Sequence, residues 1–152
     1  MILRLIVFFI LNFGALAIGS VFTGSGVPSE WYQSLNKAPW TPPGWVFGAA
    51  WTTIMICFSF YMALLWKNEE LRKFILISFS IQFVLNVIWN PVFFQFQNVL
   101  FGLIVITALT ILIAVMFIKF FPFLKAASIL ILPYLLWLII ATSLNAFILF
   151  KN

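Results

Sequence analysis

The sequence predicts an all-α membrane protein: a bundle of five transmembrane helices with a long aromatic and proline-rich loop between the first and second. Three observations predict it. Of 152 residues, 65% are hydrophobic and 7% charged, whereas soluble domains are roughly half apolar and a quarter charged. The few charged residues separate long charge-free blocks, from Leu5 to Ser29, Ala38 to Trp66, Phe74 to Ile118 and Ala126 to Phe150. About 20 apolar residues cross a bilayer as a helix, so the third block has room for two crossings and each of the others for one. The crossings must be helical because lipid satisfies no stray backbone group, and the blocks are too long and too continuously apolar for barrel strands. Soluble character appears nowhere along the chain, and residues 1–152 read as a single domain.

The first crossing is expected from Ile2 to Phe22. Arg4, the apolar run Leu5 to Leu11 and Ala15-Leu16-Ala17 also fit the outline of a signal peptide. Ala15 and Gly19, at small-xxx-small spacing, instead suit a retained packing helix. The loop that follows is dense in aromatics and proline, running from Trp31-Tyr32 through Lys37-Ala38-Pro39-Trp40 to Pro42-Pro43-Gly44-Trp45. Its prolines restrict the backbone, and Pro42-Pro43 suits the opening of a helix. The aromatic side chains carry area that has to be buried, so the loop should fold back as a lid over one end of the bundle.

The second crossing is placed at Pro43 to Trp66, with Trp66 beside Lys67 reading as an interfacial belt residue. The third runs from Leu71 to Phe94 and the fourth from Val99 to Lys119, separated by a turn at Gln95-Phe96-Gln97-Asn98 after a Pro91 that weakens the helix. The fifth is placed at Phe123 to Phe150, bent by Pro133.

The net charge of +5 flanks the crossings and forms no patch suited to nucleic acid. It sets topology instead. Five crossings put Arg4, Lys67, Arg72, Lys73, Lys119 and Lys125 on one side and Lys37 and Lys151 on the other. By the positive-inside rule the N-terminus is cytoplasmic, and the first loop and C-terminus lie outside, as in a bacterial cell membrane.

Much chemistry is missing. There is no His, and the three carboxylates Glu30, Glu69 and Glu70 fall outside the expected bilayer core. No Ser-His-Asp or Cys-His arrangement can be built, and the lone Cys57 offers neither a disulfide nor a multi-ligand metal site. No crossing carries the buried charge that marks ion-coupled transporters.

What remains is a stock of seven Trp, three Tyr and 20 Phe. In the third crossing Gln82, Asn86, Trp89, Asn90 and Phe93 recur at helical spacing and share a face. Amides left unpaired in hydrocarbon cost several kcal/mol, so that face should look into the bundle or a cavity. Its residues read either as interhelical glue or as ligand contacts. The fifth crossing has a similar stripe of Tyr134, Trp137, Ala141 and Leu144 or Asn145, where the small Ala141 leaves room beside Trp137. In the second, Phe47, Trp51, Ile54 and Phe58 form a stripe that serves equally as packing.

Three segments, WYQSLNKAPWTPP from Trp31, LNVIWNPVFF from Leu85 and PYLLWLIIATSLN from Pro133, resemble the TspO/MBR family of translocator and tryptophan-rich sensory proteins, also called peripheral-type benzodiazepine receptors. The family's patterns are WYxxLxKPxWxPP, LNxxWxxxFF and PYxxWxxxAxxLN, in the same order. The resemblance implies a five-helix bundle, commonly a homodimer, that binds protoporphyrin IX, haem-like tetrapyrroles and other hydrophobic small molecules under the first loop. It implies ligand contacts at Tyr32, Trp51, Asn86, Trp89, Trp137 and Ala141, which Phe47 and Phe93 adjoin on the same stripes. Some members degrade porphyrin under light and oxygen with tryptophans matching Trp51 and Trp137, the only residues to which a catalytic role carries over. No metal or cofactor is implied, since porphyrin is ligand or substrate.

Lys37-Ala38-Pro39-Trp40 shifts the loop proline by one place from the family pattern, and the C-terminal stretch Leu144 to Lys151 lacks the Tyr of the sterol-recognition segment. Sterol binding is therefore not expected. Three functions stay open: tetrapyrrole binding with a sensory or degradative role, passive passage of hydrophobic molecules, and docking to another membrane protein.

Overall fold

The structure, a computed structural model describing residues 1–152, is all-helical. Its elements are α1 (Ile2–Gly26), a short α2 (Glu30–Ser34), α3 (Gly44–Leu65), α4 (Arg72–Asn90) extended by a π-helical turn (Pro91–Gln95), α5 (Val99–Leu124), a 3-10 segment (Lys125–Ile131) and α6 (Leu132–Lys151). Four helical runs are long and apolar enough to cross a membrane: Ile2–Gly26, Gly44–Leu65, Arg72–Gln95 and Val99–Lys151. The last covers 53 residues, far more than about 30 Å of hydrocarbon requires at 1.5 Å per residue. It folds back on itself. The backbone turns at Lys125, where φ is 48°, and α6 returns along α5. The Thr110 and Thr142 hydroxyls lie 3.0 Å apart, and Asn145 Nδ2 donates to the Val99 carbonyl at 3.0 Å.

Two local expectations change. The segment 123–131 does not begin the last helix: it completes α5 and then tightens into the 3-10 segment. Pro133 consequently lies in the first turn of α6, where its missing N–H has no intrahelical partner to lose, so it opens the helix and does not bend it. The loop after α1 is also more ordered than a plain connection. Ser29 caps α2, its Oγ accepting from the Tyr32 N–H at 3.2 Å. The turn after Pro91 falls where the polar tetrad places it. Gln97 takes a positive φ of 53°, and Asn98 Oδ1 caps α5 by accepting from the Phe101 N–H at 3.0 Å.

The core is aromatic and aliphatic, centred on Phe58, Tyr61, Phe79, Ile113, Met116, Phe120 and Tyr134. Polar groups inside it tie helices together. Asn12 Nδ2 of α1 donates to Ser59 Oγ of α3 at 2.9 Å, Tyr61 Oη of α3 donates to the Met116 carbonyl of α5 at 3.2 Å, and Gln82 Nε2 of α4 donates to Tyr134 Oη of α6 at 2.8 Å. In membranes such bonds contribute about 0.6–2 kcal/mol each.

Gln82 is 1% exposed and its Oε1 has no partner, so of its two sequence readings the structure supports interhelical glue. Tyr134→Phe would strip the remaining acceptor from this amide, and the expected cost is about 1–3 kcal/mol, read as a lower Tm in detergent. Adding Gln82→Leu should restore most of that loss, because removing both partners leaves no orphan. An unchanged Tm in the single variant would count against this role.

The cations divide between the two ends. Trp66 packs on Phe8 at 5.9 Å and under Arg72 at 5.6 Å, and Lys119 Nζ lies 3.6 Å from the Phe74 ring centre. At the other end Asn36 Nδ2, next to Lys37, donates to the Lys151 carbonyl at 3.2 Å.

Candidate functional site

At the end of the bundle carrying Lys37 lies a mainly apolar cavity of about 330 Å³, walled by α1, α3, α4, the π turn, α5 and α6 and roofed by the first loop. Tyr32, Phe47, Trp51, Asn86, Trp89, Phe93, Trp137 and Ala141 all line it. The stripes read from sequence on three helices thus converge on one space, because each presents its aromatic face toward the others.

α3 and α6 face each other through edge-to-face ring pairs. Phe47 and Trp137 have ring centres 5.3 Å apart at 86°, and Trp51 meets Tyr134 at 5.9 Å and 72°. Such pairs add about 0.5–1.5 kcal/mol beyond area burial and fix the indole planes. Trp137 is 7% exposed. Ala141, one turn further along α6, contributes only a methyl group to the wall.

The α4 wall owes its shape to Pro91. A proline has no N–H to continue the α ladder, and the chain widens into π geometry, with the Phe96 N–H reaching the Pro91 carbonyl at 2.9 Å and the Asn98 N–H reaching that of Val92 at 3.1 Å. The wider turn aims both Phe93 and Phe94 inward, and both are buried. Phe93 stacks on Trp89 with centres 5.0 Å apart and planes 14° from parallel. Trp89 Nε1 donates to Asn145 Oδ1 at 3.2 Å, locking the indole. Turns of this kind recur at functional sites.

Asn86 differs from its neighbours. It is 7% exposed and lines the cavity, yet only its backbone carbonyl is engaged, by Asn90 Nδ2 at 3.2 Å, and its side-chain amide makes no hydrogen bond within the protein. A donor and an acceptor therefore face the apolar space.

The roof is held from two directions. Trp31 packs on Phe93 at 5.6 Å and Tyr32 on Phe94 at 5.6 Å. On the far side Trp40 Nε1 donates to Ser143 Oγ at 3.1 Å and its ring meets Phe147 at 5.4 Å. A two-way amide clasp closes the rim: the Asn36 N–H donates to Asn152 Oδ1 at 2.8 Å, and Asn152 Nδ2 donates back to the Asn36 carbonyl at 3.2 Å. Trp45 stays outside, 75% exposed. Lys37 Nζ lies 4.8 Å from the Tyr32 ring centre, and burial raises the Tyr32 pKa above its ordinary 10, so the phenol is protonated and able to donate at neutral pH.

Sequence reasoning missed the α1 wall. Gly19 and Thr23 line the cavity, and Thr23 Oγ1 donates to Asn90 Oδ1 at 3.0 Å. Gly19 reads as a packing residue in sequence, and its i, i+4 spacing to a hydroxyl was the available signal.

Residues 6–151 match the family model described as TspO/MBR family. The chain is 37% identical to the tryptophan-rich protein TspO of Archaeoglobus fulgidus over 130 residues, covering 84% of this chain and 82% of that protein. It is 36% identical to the tryptophan-rich sensory protein of Cereibacter sphaeroides over 118 residues, 78% of this chain and 74% of that one. With the human translocator protein it shares 32% identity over 133 residues, 84% of this chain and 78% of the human protein.

Proposed function

Because the chain belongs to the TspO/MBR family of membrane proteins, we propose that it crosses the bilayer five times, through α1, α3, α4, α5 and α6, and binds tetrapyrroles such as protoporphyrin IX in the cavity under the first loop. The cation distribution supports a cytoplasmic N-terminus, with the lid and C-terminus outside. A homodimer is the assembly we assign to it.

The observation carrying the binding assignment is the convergence of Trp51, Trp89, Trp137, Phe47 and Phe93 around one space with an unengaged amide at Asn86. A porphyrin presents a flat apolar π surface with a few polar groups, and indole faces, a dry wall and isolated donors match it. Small-molecule sites span about 300–1,000 Å³. At about 330 Å³ this space suits one flat ring system with part of its rim at the opening.

Titrating the purified protein with protoporphyrin IX in the dark, by Trp quenching and the Soret band, should give saturable binding at low micromolar ligand. Absence of both signals across that range would end this reading. The cavity walls hold no His, Asp or Glu, and we assign turnover under light and oxygen to the indoles of Trp51 and Trp137. Trp51→Phe and Trp137→Phe should bind within about 1 kcal/mol of the parent, since a flat apolar face remains, and should lose light-driven bleaching, while Trp66→Phe keeps both. Equal bleaching in all four proteins, corrected for bound porphyrin, would leave binding without protein-assisted turnover.

A further inference from the structure

We infer that the cavity is entered sideways, from the bilayer, through a gap between the lid-side halves of α1 and α3 whose width is set by Ser20, Gly48 and Thr52. Among all the cavity-lining residues these three alone are exposed. The lid residues that line the cavity, Tyr32, Lys37 and Thr41, are each partly covered, and the rim beside them is closed by the Asn36–Asn152 clasp.

The gap follows from how α1 is held. In their other halves α1 and α3 touch, through the Asn12–Ser59 hydrogen bond of 2.9 Å and the Phe9–Phe60 ring contact of 5.9 Å. Continuing that antiparallel register brings Ser20 level with the turn of α3 that contains Gly48 and Thr52. There, however, α1 is bound to α4 and its π turn. Gly19 lies so close to Asn90 that a Cβ would sit 2.7 Å from Nδ2, Thr23 bonds the same amide, and Gly26 abuts the Phe94 ring. With α1 tied to α4 at this height, Ser20 and the facing Gly48 and Thr52 of α3 are left uncovered. At Gly48 an added Cβ would meet nothing within 4 Å.

The opening lies within lipid. Thr52 is about 12 Å along the axis from the start of α3 at the helical rise, inside the roughly 15 Å of hydrocarbon in one leaflet. Two hydroxyls and no charge border it, so it admits flat, uncharged or weakly amphipathic molecules already dissolved in that leaflet and excludes hydrated ions. The inference rests on the cavity being a ligand site, but access can be read without any porphyrin.

The experiment places a thiol in the cavity as Ala141→Cys in a Cys57→Ser background, reconstitutes the full chain in phosphatidylcholine vesicles and follows its modification by a small uncharged methanethiosulfonate that partitions into bilayers. Adding Gly48→Leu, for which the structure has room, or Ser20→Leu should slow modification at least tenfold. Adding Asn152→Ala, which loosens the lid clasp, should leave the rate unchanged. Circular dichroism and Tm identify which variants fold, and two independent blocking positions keep the test decisive. Unchanged rates in both leucine variants, or acceleration by Asn152→Ala comparable to that block, would overturn side entry. Failure of porphyrin binding in the parent protein with the Gly48→Leu block intact would sink the proposed ligand alone.

Discussion

Ala141→Phe is expected to weaken porphyrin binding at least 100-fold, about 2.7 kcal/mol, without destabilising the fold. Ala141 is half-buried on α6, one turn beyond Trp137, and its methyl group forms part of the cavity wall. A benzyl group there extends into existing space, so it displaces ligand and not a neighbouring helix. Filling a cavity usually stabilises a protein, and the Tm should hold or rise. Ile139→Phe on the same helix, at a 52% exposed position outside the cavity, adds a ring of equal size facing away and should change neither quantity. Parallel affinities in the two variants would mean that porphyrin binds elsewhere on the protein.

At Asn86 affinity and stability are expected to move in opposite directions. Its side-chain amide faces the apolar cavity with no hydrogen bond inside the protein, and a polar group held beside apolar walls without a protein partner carries a desolvation cost. Asn86→Leu removes the cost and preserves approximate size, so the Tm should rise. The same change removes the donor and acceptor that would orient a ligand's polar edge, and affinity should fall at least tenfold, about 1.4 kcal/mol. Lowered Tm with affinity retained would make Asn86 a packing residue and move ligand recognition to the aromatic walls.

Each inward face was legible because its signal is local. Gln82, Asn86, Trp89, Asn90 and Phe93 repeat at helical spacing in a segment that must lie in hydrocarbon, and lipid penalises every amide on that face unless it turns inward. The same logic reads Tyr134, Trp137 and Ala141 from α6. It does not extend to what an inward amide meets. Gln82 and Asn86 carry nearly the same signal one turn apart, yet Gln82 reaches the Tyr134 hydroxyl at 2.8 Å whereas Asn86 faces the cavity. Only the approach of α6 to α4 at that height separates glue from site.

Proline shows the same division. That Pro91 and Pro133 interrupt helices follows from a missing N–H, but the outcome depends on the surroundings. Pro91 widens α4 into a π turn that brings Phe93 and Phe94 inward, while Pro133 starts a new helix because a 3-10 segment has already ended the previous one. Composition, the charge-free blocks and the three motif segments were enough, from sequence alone, to give helices able to cross a membrane, the family and the aromatic stripes. Tertiary structure supplied the geometry by which those stripes share one cavity, which the resemblance only implied, and it alone decided that α1 supplies a wall through Gly19 and Thr23 and is held against Asn90 and Phe94. The physical reason is that periodicity along a helix records which face avoids lipid, whereas a cavity depends on distances between helices, and the spacing that marks Gly19 as a packing residue does not say that Asn90 is what it meets.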